Sequence, residues 1–345
     1  MREARSKEWY VTGKSVRGSI HRGNDLPNQD CIAWVQKETD SGEVEVLSLA
    51  DGHGSEKYFL SHIGARIVVQ VANDLLYQFA QVSAGLSLTD IKVGIERLPF
   101  QIVRQWRQLV EDDWNSPERR KEAEGWLDNP EIVRAAETSP LIAYGTTLLS
   151  VLVTERFILY LQIGDGDILA IDAHSEITEP VPPDGRNIAN ETTSLSNPTA
   201  MRDFRVEFRR RDSSVPALIM LATDGYANSF LTRTGFHKVG SDIWQMIRAD
   251  GEAGWQAVEK QLEGWLQRTT ELGSGDDISV GLLCRKSALQ EEGPERLPAA
   301  TQGVESPQVP FQEDAISQQG IPGTALGEEE LDESTEKRSA GTGKS

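Results

Sequence analysis

The sequence predicts an α+β fold built on antiparallel strands, from three observations. Short runs that alternate apolar and polar residues recur along much of the chain, the mark of half-buried strands. Longer segments between them repeat apolar residues at three-and-four spacing, as amphipathic helices do. Three strand-like runs, at 146–153, 156–164 and 167–172, follow one another across gaps of two or three residues, which predicts an antiparallel meander.

In order, residues 44–50 alternate and end at Asp51-Gly52, a strand running into a tight turn. Residues 58–79 place Ile63, Ile67, Val68, Val71, Leu75 and Leu76 on one face, predicting a long helix, and a second helix is predicted over 89–110. The stretch 112–140, with Trp114, Pro117, Trp126 and Pro130, reads as an irregular or helical insert whose tryptophans pack. After the meander, 175–211 is polar and holds Pro180, Pro182, Pro183 and Pro198, so it reads as a mobile loop or flap. A strand over 216–223, a helix over 250–270 and a closing strand over 278–285 complete the pattern, and no internal repeat is seen.

Composition changes at Lys286. From there to Ser345 the chain holds twelve acidic against five basic residues and one aromatic, Phe311. Such a segment lacks the apolar area to offset its conformational entropy. The prediction is a catalytic domain over 1–285 and a disordered acidic tail over 286–345.

With 345 residues and 38% hydrophobic content, the chain has material for one large core or two small ones. A net charge of -19 argues against nucleic acid, whose binding relies on Lys and Arg displacing counterions. The same charge near a catalytic site concentrates hard cations and basic peptide segments. Cys31 and Cys284 have no Cys-x-x-Cys spacing and read as reduced core thiols of a cytoplasmic protein. No apolar segment follows the charged first residues, so no signal peptide is expected. No run approaches the ~18 apolar residues of a membrane span.

Four apolar runs end in an aspartate beside glycine: Leu49-Ala50-Asp51-Gly52-His53-Gly54, Ile163-Gly164-Asp165-Gly166-Asp167, Leu221-Ala222-Thr223-Asp224-Gly225 and, with the order reversed, Gly275-Asp276-Asp277-Ile278. One such turn is ordinary, because turns favour both residues. Four at strand ends point to an oxygen-rich socket for a hard cation such as Mg²⁺ or Mn²⁺. Zinc is disfavoured, since the five histidines form no His-x-x-x-His pair. An EF-hand is excluded, because its ligands fall within about twelve residues whereas these are scattered along the chain. Paired hard cations acidify water and hold phosphoryl oxygens, so phosphate-ester hydrolysis is the first functional expectation. His53, two residues after Asp51, is the candidate general acid for the leaving alkoxide.

Together with Asn28-Gln29-Asp30, Tyr144-Gly145-Thr146-Thr147 and Asp276-Asp277-Ile278-Ser279-Val280, these motifs resemble the metal-dependent protein phosphatases of type 2C, in order and rough spacing, from about Tyr10 to Cys284. The resemblance implies an antiparallel β-sandwich flanked on both faces by helix pairs, a four-layer αββα arrangement. It also implies a binuclear Mg²⁺ or Mn²⁺ centre that activates a bridging water against phosphoserine or phosphothreonine in proteins. Carried over by residue, Asp51 bridges the metals and the Gly52 carbonyl binds one of them. Asp224 and Asp276 hold the other, Asp30 joins through the second ion or its waters, and Asp165 with Asp224 takes a third, weaker ion. Asp167 and Asp277 are expected to be structural neighbours.

The resemblance has departures. Asp25 stands where many members carry the arginine that clamps phosphate, and Arg22 is the substitute expected from a longer loop, a guanidinium matching phosphate geometry bidentately. Ser55 replaces a frequent second glycine after Gly54. The expected partner is a phosphorylated protein, with a cognate serine/threonine kinase or its target sought first; phosphorylated regulators and small phosphate esters suit the same chemistry. The alternative reading is a catalytically weak phosphatase-like adaptor with the acidic tail as tether.

Overall fold

A computed structural model describes residues 7–126, 130–182, 192–211 and 214–291. The chain opens on β1 (Trp9–Val16), makes a single helical turn, α1 (Ser19–Gly23), and continues as the hairpin β2 (Cys31–Thr39) and β3 (Gly42–Ala50). A helical excursion follows: α2 (Ser61–Ser83), α3 (Leu88–Ile95), α4 (Leu98–Trp114), α5 (Pro117–Trp126), α6 (Pro130–Thr138) and α7 (Pro140–Ala143). Next come β4 (Leu148–Val153), β5 (Phe157–Ile163), β6 (Asp167–Ile171), β7 (Ile177–Thr178), α8 (Ala200–Asp203), β8 (Arg205–Arg210) and β9 (Leu218–Ala222). The described residues end with α9 (Asp224–Ala227), α10 (Arg233–Asp250), α11 (Glu252–Leu272), β10 (Ile278–Arg285) and a 3-10 turn at Lys286–Gln290.

The strands form two antiparallel sheets, β1-β10-β9-β6-β7 and β2-β3-β4-β5-β8. Alternation along β3 shows why they stack. Leu47 and Leu49 point inward to Leu149, Ile219, Leu221 and Leu283, while Val44, Val46 and Ala50 point outward to the cluster that includes Leu76 and Trp106. A strand buried on both faces needs a cover on each. Helices α2 and α4 supply the outer cover of one sheet; on the other, Val239, Ile243 and Trp244 of α10 and Trp255, Val258 and Leu262 of α11 pack against Leu169, Met220 and Leu282. The expected αββα layering is thereby present.

Several expectations change. The meander breaks after its second strand: β4 pairs with β5, but β6 pairs with β9 in the other sheet. The crossing occurs at Gly164-Asp165-Gly166, where Gly164 has φ +105° and a Cβ on Gly166 would lie 2.8 Å from the Ala222 carbonyl oxygen. Only glycine enters that conformation freely and fits that approach. The helix expected over 89–110 is two helices, because Pro99 in the first turn of α4 has no N–H and cannot continue α3. The insert is helical in α5, α6 and α7. The polar stretch 175–211 contains the edge strand β8, which pairs with β5; residues 183–191 lie outside the described residues. Strands β1 and β2 and helix α10 had not been anticipated, whereas β10 has the predicted bounds. Just beyond Arg285, the Lys286 N–H donates to the Glu8 carbonyl at 2.8 Å and Ala288 is buried. Residues 292–345, most of the predicted tail, lie outside the described residues.

Candidate active site

Strand pairing assembles the site. Cys31 pairs with Ala50, which sets Asp30 and Asp51 side by side just beyond the β2–β3 ladder. Ala222 lies between Val280 and Asp167, which brings the ends of β9, β10 and β6 together, with Asp224, Asp276 and Asp165 near them. Stacking of the sheets joins the two groups. Burial, then the neighbouring Asp30 and Asp224 carboxylates, holds the Asp51 carboxyl well above its usual range, and Asp51 and Asp224 share a hydrogen bond. Asp224 is raised as well, first by burial and partly by Asp165 and Asp276.

Asp30 gives the sharpest test of whether these residues fit a cation. Its Oδ2 accepts a hydrogen bond from Thr223 Oγ1 at 2.7 Å; its Oδ1 is buried with no donor in bonding geometry, the Ser279 hydroxyl being the one nearby. Burial and the Asp277 charge push this carboxyl well up. A buried carboxylate oxygen without a donor is costly, and a hard divalent ion relieves both that cost and the mutual repulsion. The donor set is carboxylate and carbonyl oxygen, which suits Mg²⁺ or Mn²⁺. Among the described residues no three such groups already close around one point.

The residues around the cluster fix its shape. A Cβ on Gly52 would sit 2.7 Å from the Gln29 carbonyl oxygen and 2.8 Å from the Ser61 carbonyl carbon, so this turn admits only glycine. Asp277 is a bracket: its carboxylate accepts from the Gly18 N–H and the Gln29 N–H, each at 2.6 Å, and lies 2.9 Å from His21 Nδ1. Asp167 is bound to Arg233, which also pairs with Glu179 at 2.8 Å. Both aspartates are thus already engaged by donors of the chain itself.

Two predicted residues behave differently. Burial, the largest influence, lowers the His53 imidazole to about 4, so the ring is neutral near pH 7 rather than a ready imidazolium acid. Its Nε2 lies 2.8 Å from Ser194 Oγ, and its face tilts against Tyr58 at 4.7 Å between ring centres. Arg22 is turned elsewhere: its guanidinium donates to the Arg17 carbonyl at 2.7 Å and to Glu271 at 3.0 Å, drawn by the carboxylate at the end of α11. Lys57, by contrast, is exposed, sits 4.8 Å from the Tyr58 ring centre and acts electrostatically on His53. Lys57, Ser194 and the Asp277–His21 bracket had not been singled out for the site. Nothing local marks them, since a surface lysine, a loop serine and a lone histidine are common.

The model of the family described as protein phosphatase 2C matches residues 17–267. The chain belongs to the protein phosphatase 2C family. As a member it is a protein serine/threonine phosphatase, and Asp30, Asp51, Asp165 and Asp224 fall inside the matched stretch while Asp276 lies beyond it. No curated protein matches the sequence. Among solved structures, the chain is similar to the serine/threonine phosphatase Stp1 from Staphylococcus aureus at 15% identity, covering 82% of this chain and 98% of that one with a TM-score of 0.48. It is similar to the Mycobacterium tuberculosis phosphatase PstP/Ppp at 15% identity, 81% and 99% coverage and a TM-score of 0.46. The catalytic domain of PstP in complex with two manganese ions is 16% identical, with 80% and 97% coverage and a TM-score of 0.47. No helix among the described residues is long and apolar enough to cross a membrane.

Proposed function

We propose that this phosphatase hydrolyses phosphoserine or phosphothreonine in a protein substrate, using two Mg²⁺ or Mn²⁺ ions held by Asp51, the Gly52 carbonyl, Asp224 and Asp276, with Asp30 beside the second ion. Asp165 with Asp224 is the proposed place of a third, weaker ion. When bound, such ions would acidify a water and neutralise phosphoryl oxygens. The observation that carries this reading is Asp30 Oδ1, buried and unpartnered beside carboxyls that already repel one another.

The chain's own groups have defined tasks in this reading. The aspartates, whose burial and mutual repulsion disfavour their charged form, would supply negative charge once a cation offsets that cost. His53, held neutral, offers a hydrogen bond to the leaving oxygen rather than a standing positive charge. Lys57 faces solvent beside Tyr58 and His53 and is the nearby cation we assign to the substrate phosphate, the task expected of Arg22. A serine/threonine kinase in its phosphorylated form, or its target, is the first substrate to try.

The test is phosphate release from a phosphothreonine peptide. Release should require Mn²⁺ or Mg²⁺ and disappear in Asp51→Ala and Asp224→Ala; activity retained by both variants sinks the proposal.

A further inference from the structure

Three consecutive hydroxyl side chains each bond to a different part of the catalytic rim. Thr192 Oγ1 donates to Asp165 Oδ2 at 2.6 Å, Thr193 Oγ1 accepts the Gly164 N–H at 3.0 Å, and Ser194 Oγ lies 2.8 Å from His53 Nε2. The arm is itself anchored. The Leu195 N–H donates to the Thr146 carbonyl at 3.0 Å, and Ser194 Oγ, 2% of its residue exposed, also contacts Ser196 Oγ at 3.0 Å and the Thr146 carbonyl at 3.3 Å.

These bonds fall on the torsions that packing controls least. The outer torsion of a histidine or an aspartate side chain is broad and roughly two-fold, so a ring or carboxylate pressed between neighbours still has two orientations. Tyr58 lies tilted at 55° against the His53 ring and leaves the edge-on choice open. A hydrogen bond at the distal atom makes that choice. Asp165 is held in the same way while it lies close enough to His53 and Asp224 to act on both electrostatically.

We propose that the arm Thr192-Thr193-Ser194 is a positioning element of the reaction: Ser194 sets the ring orientation of His53, and Thr192 sets the carboxylate of Asp165. The proposal rests on the phosphatase reading for its kinetic consequence, though not for its structural one. Hydroxyl removal at either position should leave substrate binding intact and disturb what happens after binding.

The experiment compares Ser194→Ala and Thr192→Val with the hydroxyl-keeping variants Ser194→Thr and Thr192→Ser, in the full chain. Steady-state kinetics on a phosphothreonine peptide with Mn²⁺, imidazole nitrogen NMR of His53 in metal-free protein, and calorimetric Mn²⁺ titration are the three readouts. Ser194→Ala is expected to lower kcat about 10-fold with little change in KM, the size of one lost hydrogen bond, and to shift the His53 nitrogen signals. Thr192→Val should weaken the weakest Mn²⁺ site about 10-fold, as loss of a partner to a metal ligand does. The conservative variants should restore both. Unmoved His53 signals with wild-type kcat in Ser194→Ala, or Ser194→Thr as impaired as Ser194→Ala, overturns the Ser194 assignment; unchanged Mn²⁺ affinities in Thr192→Val overturn that of Thr192. Should Ser194→Ala fail to fold, Ser194→Cys gives the same reading with a weaker donor. A wild-type protein that releases no phosphate breaks the phosphatase reading alone, and the NMR and calorimetry still decide the arm.

Discussion

Strand β3 has crowded carboxyl groups at both ends, and the two ends resolve the crowding differently. At its start, Glu43 and Glu45 lie together; burial lifts the Glu45 carboxyl to about 8, with Glu43 adding to the rise. Gln36 Nε2 donates to Glu45 Oε1 at 3.1 Å and the Glu8 N–H donates to Glu43 Oε2 at 2.6 Å, while Glu43 Oε1 and Glu45 Oε2 are buried and have no donor but the proton that Glu45 keeps. Beyond its other end, Asp51 meets Asp30, Asp224 and Asp276 as well. One proton suffices for two carboxyls but not for four. The number of acids is what separates the proposed cation site from the acid pair.

The largest expected effect breaks this comparison at the aspartate end. Asp51→Asn should reduce metal-dependent phosphate release to the level of metal-free protein while raising the melting temperature of the metal-free fold, because one member of a repelling cluster becomes neutral. An asparagine variant that melts earlier without metal means the cluster is not under electrostatic strain.

Metal should matter only at that end. At about 100 times its dissociation constant, Mn²⁺ should stabilise the wild-type protein by about 2.7 kcal/mol in chemical denaturation. The gain should vanish in Asp51→Asn and persist in Glu45→Gln. Equal gains in both variants would place the ion elsewhere.

The acid pair should respond to protons instead. Glu45 has a folded value near 8 against an ordinary 4.5, so between those pH values the folded state keeps a proton that the unfolded state has lost. Its contribution is therefore fully present below about pH 4.5, declines as pH rises, and is gone above about 8. With 1.36 kcal/mol per unit, the wild type should lose on the order of a few kcal/mol across that window relative to Glu45→Gln. Parallel stability curves for the two proteins would show that the pair does not hold its proton.

The smallest effect concerns the cations near the rim. Arg22→Ala removes an exposed ion pair and should cost about 1 kcal/mol or less in stability with unchanged kcat and KM. Lys57→Met should raise KM and weaken inhibition by inorganic phosphate several-fold. The reverse ranking would return the phosphate contact to Arg22.

Much of the site was legible because its chemistry is local in sequence. Asp51, Asp165, Asp224 and Asp276 are each marked by the glycine beside them and the apolar run before or after them, whereas Asp30 has no such mark, and the bounds of β10 follow from alternation alone. Less of its surroundings was legible. Helix α10 carries Phe236, Val239, Ile243 and Ile247 at helical spacing and could have been found, whereas β8, with its charged Arg-Val-Glu-Phe-Arg-Arg sequence, is a strand only because β5 offers it an edge.

The sequence by itself determined the residue types of the proposed hard-cation site, most but not all of the strands that present them, and the acidic character of the last sixty residues. These follow from short-range periodicity and turn chemistry, which neighbouring residues specify. Tertiary structure alone decided that β6 crosses to the second sheet, that Arg22 turns to Glu271, that His53 is neutral and that Ser194 holds its ring. Those outcomes depend on burial and on partners tens to hundreds of residues away, which strand register and sheet stacking bring together and no local pattern encodes.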